Sequence, residues 1–407
     1  MTGAKKRILL FAATTGYQVH SFAEAAERLG CELVLATDRC HVLDDPWGDQ
    51  AIAARTEDPA GRGPFDGVLA VGDDPAVEAA QAAERLGLRF SPPDAVLAAK
   101  NKFLSRERFA AAGLLVPGYR LNAPPLRYPC VLKPAGLSAS RGVIRADNPE
   151  QFAAAYARIR KLAGHADDPS IQVEDFIPGR EFALEGLVTR GRLQMIALFD
   201  KPDPLDGPFF EETIYVTPSR APAETQSTIF EITQRAIAAL GLTHGPIHAE
   251  MRVVLDHSPD NTNVGGAGRG VWMLEVAARP IGGLCSRVVR FASGETLEEI
   301  LLRHAAGGDV SEARLAPGGH AVMMIPIPRA GVYRSVEGLE RARSVAGIED
   351  VVIAAKEGQM MLPLPEGASY LGFIFARAES PEEAEKAVRE SHAGLRFEFA
   401  TALPVVK

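Results

Sequence analysis

The sequence predicts an α/β protein with a doubly wound parallel unit first, a larger α/β body with α+β lobes next, and a strand-rich C-terminal region last. Three observations carry this. Over residues 1–95 buried strands alternate with amphipathic helices across short connections. Pro92 and Pro93 then punctuate the chain, so a second domain is expected from residue 96 to 317. From residue 318 to 407 apolar, strand-like runs dominate.

The elements follow in order. KRILLFAA reads as a buried parallel strand, and VHSFAEAAERLG as a helix that stops at Gly30. CELVLAT and FDGVLAVGD are further strands, and PAVEAAQAAERLG is the next helix. The TTG between the first strand and helix lacks the three spaced glycines of a dinucleotide fingerprint, so no nicotinamide site is expected there. SPPDAVLAAKNKFLSRERFAAAGLLVP holds one helix, ended by Gly113 ahead of Pro117. PCVLKP and a segment from Val143 are strands flanking a loop of small residues. NPEQFAAAYARIRKLAG is a helix capped by Asn148 with Pro149 in its first turn. IQVEDFIPGREFALEGLVTRGRLQMIALFD alternates strands and turns, and the proline-rich KPDPLDGPFFEE is expected as a surface loop. A helix, TIFEITQRAIAALG, precedes the strands GPIHAEMRVVL and GVWMLEVAARP, which a glycine-rich hairpin tip separates. TLEEILLRHAAGGD is a helix; HAVMMIPIP, EDVVIAAKEG and SYLGFIFARA are strands; PEEAEKAVRESHAGL is the final helix.

Bulk properties remove several function classes. The 407 residues, 46% hydrophobic and 24% charged, are ordinary globular usage. A net charge of −8 with no basic block argues against nucleic acid as a partner. Cys31, Cys40, Cys130 and Cys285 form no CxxC pair or zinc spacing, so they read as buried thiols, and a cytoplasmic setting is expected. The N-terminal apolar run is too short for a secretory signal, and no run approaches the ~18 apolar residues of a membrane span.

Some residues point to chemistry on their own. Lys133 ends a buried strand, where a charge is costly without a partner. The loop after it, with Gly136, Ser138, Ser140 and Gly142, can close over phosphates with its N–H groups, and Arg141 either adds charge or faces solvent. Glu250 and Glu275 fall on strands expected to be antiparallel neighbours, where two carboxylates repel unless a cation sits between them. His248, two residues before Glu250, faces the same way; contact with substrate or metal and a structural role are both open.

Taken in order, NKFLSRERFAAAGLLVP, YPCVLKPAGLSASRGV, VEDFIPGREFALEG and the pair HAEMRVV and LEVAARPIGG resemble the ATP-grasp superfamily over residues 1–310. The resemblance implies an ATP-grasp fold, with a small lid lobe at residues 130–187. It puts Lys102, or Lys100 one register away, and Lys133 on the nucleotide phosphates, with Ser138 and Ser140 in the lid loop. It lines an adenine slot with Glu174, Asp175, Phe176 and Ile177, and sets Glu181 on the ribose hydroxyls. Glu250 and Glu275 would hold Mg2+ (or Mn2+), and Arg279 would stabilise the transferring phosphoryl group and the tetrahedral intermediate.

Many members carry asparagine two residues after the second glutamate; here Ala277 stands there, which puts a full two-metal site in doubt. The E-x-A-A-R variant is similar to the L-amino acid ligases that make dipeptides. In that branch Gly282 and Gly283 would border the pocket of the acid-donating amino acid, and Glu212, in the loop Phe209–Glu212, would bind its ammonium group. The implied activity is ATP-dependent amide formation between amino acids through an acyl phosphate. Alternatives are another carboxylate–amine ligase of natural-product assembly, a biotin-carboxylase-like enzyme using bicarbonate, and a nucleotide-binding regulator without turnover. Relatives are often dimers, which leaves a homodimer open.

Overall fold

The computed structural model describes residues 5–13, 18–37, 52–53, 59–135, 137, 140–163, 170–254, 269–367 and 369–400. The N-terminal unit comprises β1 (Arg7–Ala12), α1 (Val19–Leu29), β2 (Glu32–Thr37), β3 (Ile52–Ala53), β4 (Gly67–Val71) and α2 (Asp73–Leu86). Its sheet runs β3-β2-β1-β4, with β1 parallel to both neighbours. Ile8, Leu9 and Leu10 are all fully buried, as a central parallel strand covered on both faces requires.

Where one helix was expected there are two, α3 (Pro93–Lys100) and α4 (Lys102–Ala111). Asn101 between them is extended, and its side-chain oxygen caps α4 by accepting from the Phe103 and Leu104 N–H groups. This break makes Lys102 the first residue of α4.

The small lobe is a sheet of β5 (Tyr119–Leu121), β6 (Cys130–Pro134), β7 (Ile144–Ala146) and β8 (Ile171–Asp175) in the order β5-β8-β6-β7, backed by α5 (Pro149–Leu162). Asn148 caps α5 through the Gln151 N–H. The lobe thus begins and ends earlier than residues 130–187: the next strand, β9 (Arg180–Thr189), belongs to a different sheet. The crossing needs Gly179, whose φ is +109° and whose added Cβ would lie 2.4 Å from the Val253 carbonyl oxygen.

The remaining elements are β10 (Arg192–Asp200), β11 (Ile214–Thr217), α6 (Ala223–Leu240), β12 (His244–Val254), β13 (Gly270–Ala277) and α7 (Leu297–Ala305). After them come β14 (Gly319–Ile325), β15 (Gly331–Glu337), α8 (Leu339–Arg343), β16 (Ile348–Ile353), β17 (Met360–Met361), β18 (Gly372–Ala378), α9 (Pro381–Ala393) and β19 (Arg396–Ala400). One eight-stranded sheet runs β13-β12-β9-β10-β11-β14-β18-β16, so three strands beyond residue 318 extend the central sheet; β17, β15 and β19 form a separate one. Apolar cores on both sides bind this sheet to the N-terminal unit. One joins Leu9 and Phe11 to α2, α3, α6 and β12; the other joins Ile8 and Leu10 to α1, α7, Phe199 and Phe373.

Cys31, Cys130 and Cys285 are free thiols, while Cys40, the TTG at residues 14–16 and most of the hairpin tip lie outside the described residues. Among the described helices none is long and apolar enough to cross a membrane.

Candidate active site

The small lobe, the central sheet, the strand ends of the N-terminal unit and the C-terminal strands enclose a cleft of about 520 Å3. Lys102, Lys133, Ser140, Glu174, Asp175, Phe176, Ile177, Glu181, Glu212, His248, Glu250, Glu275, Arg279, Gly282 and Gly283 all line it. Ser138 lies outside the described residues.

Helix α4 and the small lobe supply cations. Lys102 lines the cleft and its Nζ donates to the Leu137 carbonyl at 3.2 Å, whereas Lys100 pairs with Asp74 and does not line it; of the two registers, Lys102 is the one at the cleft. Lys133 at the end of β6 finds the partner its burial demands: its Nζ is 2.6 Å from Glu174. Arg106 of α4, fully buried, holds the other Glu174 oxygen at 2.6 Å. Burial by itself would raise the Glu174 carboxyl, but Arg106 and Lys133 outweigh it and bring it down to about 2. The Glu174 side chain therefore fixes Lys133, and its backbone runs on into the expected adenine slot. There Asp175 N–H is committed to Gly118 and Phe176 N–H to Pro129; Ile177 N–H has no partner among the described residues. The Arg145 and Arg252 guanidinium groups both lie against the Phe176 ring, at 4.3 and 5.1 Å from its centre. Arg141 turns away from the cleft, its Nε donating to the Glu366 carbonyl.

The central sheet supplies carboxylates. Glu250 on β12 stands directly opposite Glu275 on β13, on antiparallel neighbours as expected. The register slips by one residue just beyond this pair, a bulge of the kind that re-aims side chains beside active sites. His248 faces Ala277 across the same strands, and Glu185 on β9 is its partner on the other side. The Glu185 carboxylate is 3.1 Å from His248 Nδ1, and His248 Nε2 is 3.6 Å from Glu250. Burial alone would lower the imidazole; the Glu185 and Glu250 charges raise it to about 9.

Lys201 is the residue that sequence reasoning missed. The KPDPLDGPFFEE segment is not the surface loop expected: Lys201 and Leu205 are buried, and Phe210 and Glu212 line the cleft, while Phe209 packs on the small lobe. Lys201 Nζ lies 2.9 Å from Glu181, 2.6 Å from Glu212 and 2.7 Å from Glu250, over the Tyr215 ring. Desolvation opposes its charge, yet the three carboxylates hold it well above the usual lysine value. Burial conversely raises Glu212 to about 7, with Lys201 pulling it down and Glu250 pushing it up. The loop turns inward because a buried ammonium needs these carboxylates. The rule applied to Lys133, a charge at the end of a buried strand, also fits Lys201 at the end of β10. Arg252 was missed too; it binds Glu181 at 3.0 Å and the Ile177 carbonyl at 2.7 Å.

Arg279 follows β13. Its Nε is 2.9 Å from Asp73, at the start of α2, and the two hold each other charged against the desolvation both suffer. Of the two glycines after it, Gly282 has open space where a Cβ would sit. Gly283 has φ +61° and its Cβ would come within 3.3 Å of Phe373, so the space expected at both positions exists only at the first.

The donor set fits a hard divalent cation. Glu250 and Glu275 stand opposite each other and offer the oxygens such an ion takes, while the oxygens of Glu181, Glu212 and Glu250, within 4.8 Å of one another, are gathered around Lys201.

Comparison with known proteins agrees with this geometry. Residues 126–288 match the ATP-grasp domain and residues 323–400 match the L-amino acid ligase C-terminal domain 2. The uncharacterized protein y4rH of Sinorhizobium fredii is 24% identical over 319 residues, 74% of this chain and 61% of that protein. Alanine–anticapsin ligase of Bacillus subtilis is 26% identical over 208 residues, 44% of this chain and 43% of that one. The chain thus spans less than two thirds of these relatives' length. The crystal structure of an L-amino acid ligase from Bacillus licheniformis superimposes with a TM-score of 0.79 at 26% identity, over 98% of this chain and 100% of that one. With the ordered motifs and the paired glutamates, the chain carries an ATP-grasp domain over residues 126–288 and an L-amino acid ligase C-terminal domain 2 over residues 323–400.

Proposed function

We propose that this chain is an ATP-dependent amino-acid ligase. The observation that carries the reading is one cleft in which Lys102 and Lys133 face the Glu250–Glu275 pair and Arg279, walled on one side by the ligase-type C-terminal domain. Cations for a triphosphate and carboxylates for its metal belong to phosphoryl transfer. A carboxylate oxygen of the first amino acid attacks the γ-phosphorus, the bond to the β-phosphate oxygen breaks, and ADP leaves with that electron pair. The amine of the second amino acid then attacks the acyl carbon and loses a proton. The acyl carbon–oxygen bond breaks and inorganic phosphate departs.

Lys102 and Lys133 would bind phosphates, Ile177 N–H would bond the base and Glu181 would take the ribose hydroxyls. Glu250 and Glu275 would hold the Mg2+, which neutralises phosphate charge when bound. Arg279 would stabilise the charge that builds on the phosphoryl group and the tetrahedral carbon. Glu212 would hold the ammonium of the acid-donating residue. Phe210, Tyr215, Met324, Tyr370 and Phe373 around Gly282 make that pocket apolar and favour leucine, methionine or phenylalanine over alanine.

The test is release of ADP and phosphate with ATP and pooled L-amino acids, with and without bicarbonate. Equal amounts of both products, dependent on amino acids and indifferent to bicarbonate, are expected. Release that requires bicarbonate would replace this reading with a carboxylase.

A further inference from the structure

We infer that Glu185 is a positioning residue, tying the Arg279–Gly283 loop to the histidine beside the metal-binding strand. The inference rests on the ligase reading, in which that loop carries Arg279 and borders the acid pocket.

Glu185 sits in the middle of β9, fully enclosed, and forms no ion pair with lysine or arginine among the described residues. A buried carboxylate in such a place is costly unless it is paired and hydrogen-bonded. The carboxylate binds both the loop after β13 and the histidine of β12. Both oxygens lie 3.1 Å from the Ile281 N–H, and one lies 3.1 Å from His248 Nδ1. From the opposite side Gln18, at the start of α1, donates its side-chain N–H to the Ile281 carbonyl. The Ile281 peptide is thus gripped at its N–H by the central sheet and at its carbonyl by the N-terminal unit. Arg279, two residues earlier, is gripped by Asp73.

A loop following a sheet edge has few intrinsic restraints, and a shift of about 1 Å in a group acting on the reacting atoms can cost on the order of 10² in rate. Glu185 removes that freedom. It also orients the His248 ring, with Nδ1 against Glu185 and Nε2 toward Glu250.

The experiment compares Glu185→Leu, Glu185→Asp and Glu185→Gln with the unaltered chain. Two readouts are taken: hydrogen–deuterium exchange of the Ile281 amide, and phosphate release with ATP and pooled L-amino acids. In Glu185→Leu, Ile281 should exchange about tenfold faster or more while the amides of β9 and β12 change by less, because its acceptor is gone while the core stays filled. Turnover should fall about tenfold or more with the KM for ATP within about twofold, since the misplaced loop lies at the acid end of the cleft. Glu185→Asp, a smaller change that protects against a failure to fold, should move both readouts the same way. Glu185→Gln keeps one oxygen for the Ile281 N–H and should restore most of the protection. Unchanged exchange in Glu185→Leu and Glu185→Asp, or faster exchange with full turnover, would overturn the inference. If the unaltered chain shows no amino-acid-dependent phosphate release, the ligase reading fails, and the exchange data still decide whether Glu185 holds the loop.

Discussion

The Arg279 guanidinium donates to the Asp73 carboxylate at 2.9 Å, so a residue of the N-terminal unit sets the orientation of the arginine that closes β13. Arg279→Ala should lower turnover by roughly 10²–10³ while an ATP analogue still binds, because the lost charge matters most where negative charge develops. Asp73→Asn, which leaves Arg279 in place but loosens it, should cost about tenfold. Steady-state kinetics and analogue binding check both; near-normal turnover in Arg279→Ala would remove it from the mechanism.

Glu250→Gln and Glu275→Gln should each raise the Mg2+ concentration needed for half-maximal phosphate release. An amide preserves shape but gives a hard cation a weaker oxygen. A magnesium titration identical to that of the unaltered chain in both variants would place the metal elsewhere.

Lys201→Met should destabilise the fold by about 3–5 kcal/mol near pH 8, the usual effect of removing one partner from a buried charge cluster. Glu181, Glu212 and Glu250 would then face one another with their shared cation gone. Urea unfolding measures the loss, and a stability equal to that of the parent would mean that solvent already screens the cluster.

The pocket can be narrowed at Gly282 but not cleanly at Gly283, whose left-handed backbone and proximity to Phe373 would turn any substitution into a test of folding. Gly282→Phe should shift the preference for the acid substrate from leucine toward alanine by about tenfold or more, the scale of a filled apolar pocket. An unaltered leucine-to-alanine ratio of kcat/KM would show that this pocket does not read the side chain.

His244 and His304 stack with ring centres 4.2 Å apart, and burial first of all pushes both down to about 4. In the unfolded chain they take up protons below about 6.5. Between that value and about 4 the unfolded state binds more protons, so stability falls as pH drops through this window and is unaffected by the pair above it. His244 Nε2 has no partner among the described residues, so His244→Phe loses no hydrogen bond at that atom. The variant should flatten the pH dependence by at most about 1.4 kcal/mol per pH unit. Unfolding free energies at pH 5 and pH 7 check it; an undiminished difference would exclude His244 as a source.

Most of the site could be read from the sequence because its charges lie in ordered motifs on long strands. Glu250 and Glu275 were expected on neighbouring antiparallel strands, and β12 and β13 are paired so. The residues that escaped are those whose meaning depends on a distant partner. Asp73 reads as an ordinary helix-start aspartate until Arg279, 206 residues away, is folded beside it. Glu185 reads as one more polar residue in an alternating strand, and Lys201 as part of a proline-rich linker. Short elements such as β17 and β19 also escaped. Two residues carry no period, and in β19 the alternation is shallow because its residues are only partly buried.

The strand β14 pairs with β11 from His320 to Met323, which splices the C-terminal domain into the sheet that carries the glutamates. Inheritance of this protein is therefore indivisible at that seam. A C-terminal half borrowed from a relative would have to match not only a pocket lining but the whole hydrogen-bonded edge of Ile214–Thr217. A chain ending before β14 would present that edge bare to its neighbours as an invitation to aggregate. Because Met324 and Tyr370, which line the cleft, ride on the same extension, losing it would also remove one wall of the cleft.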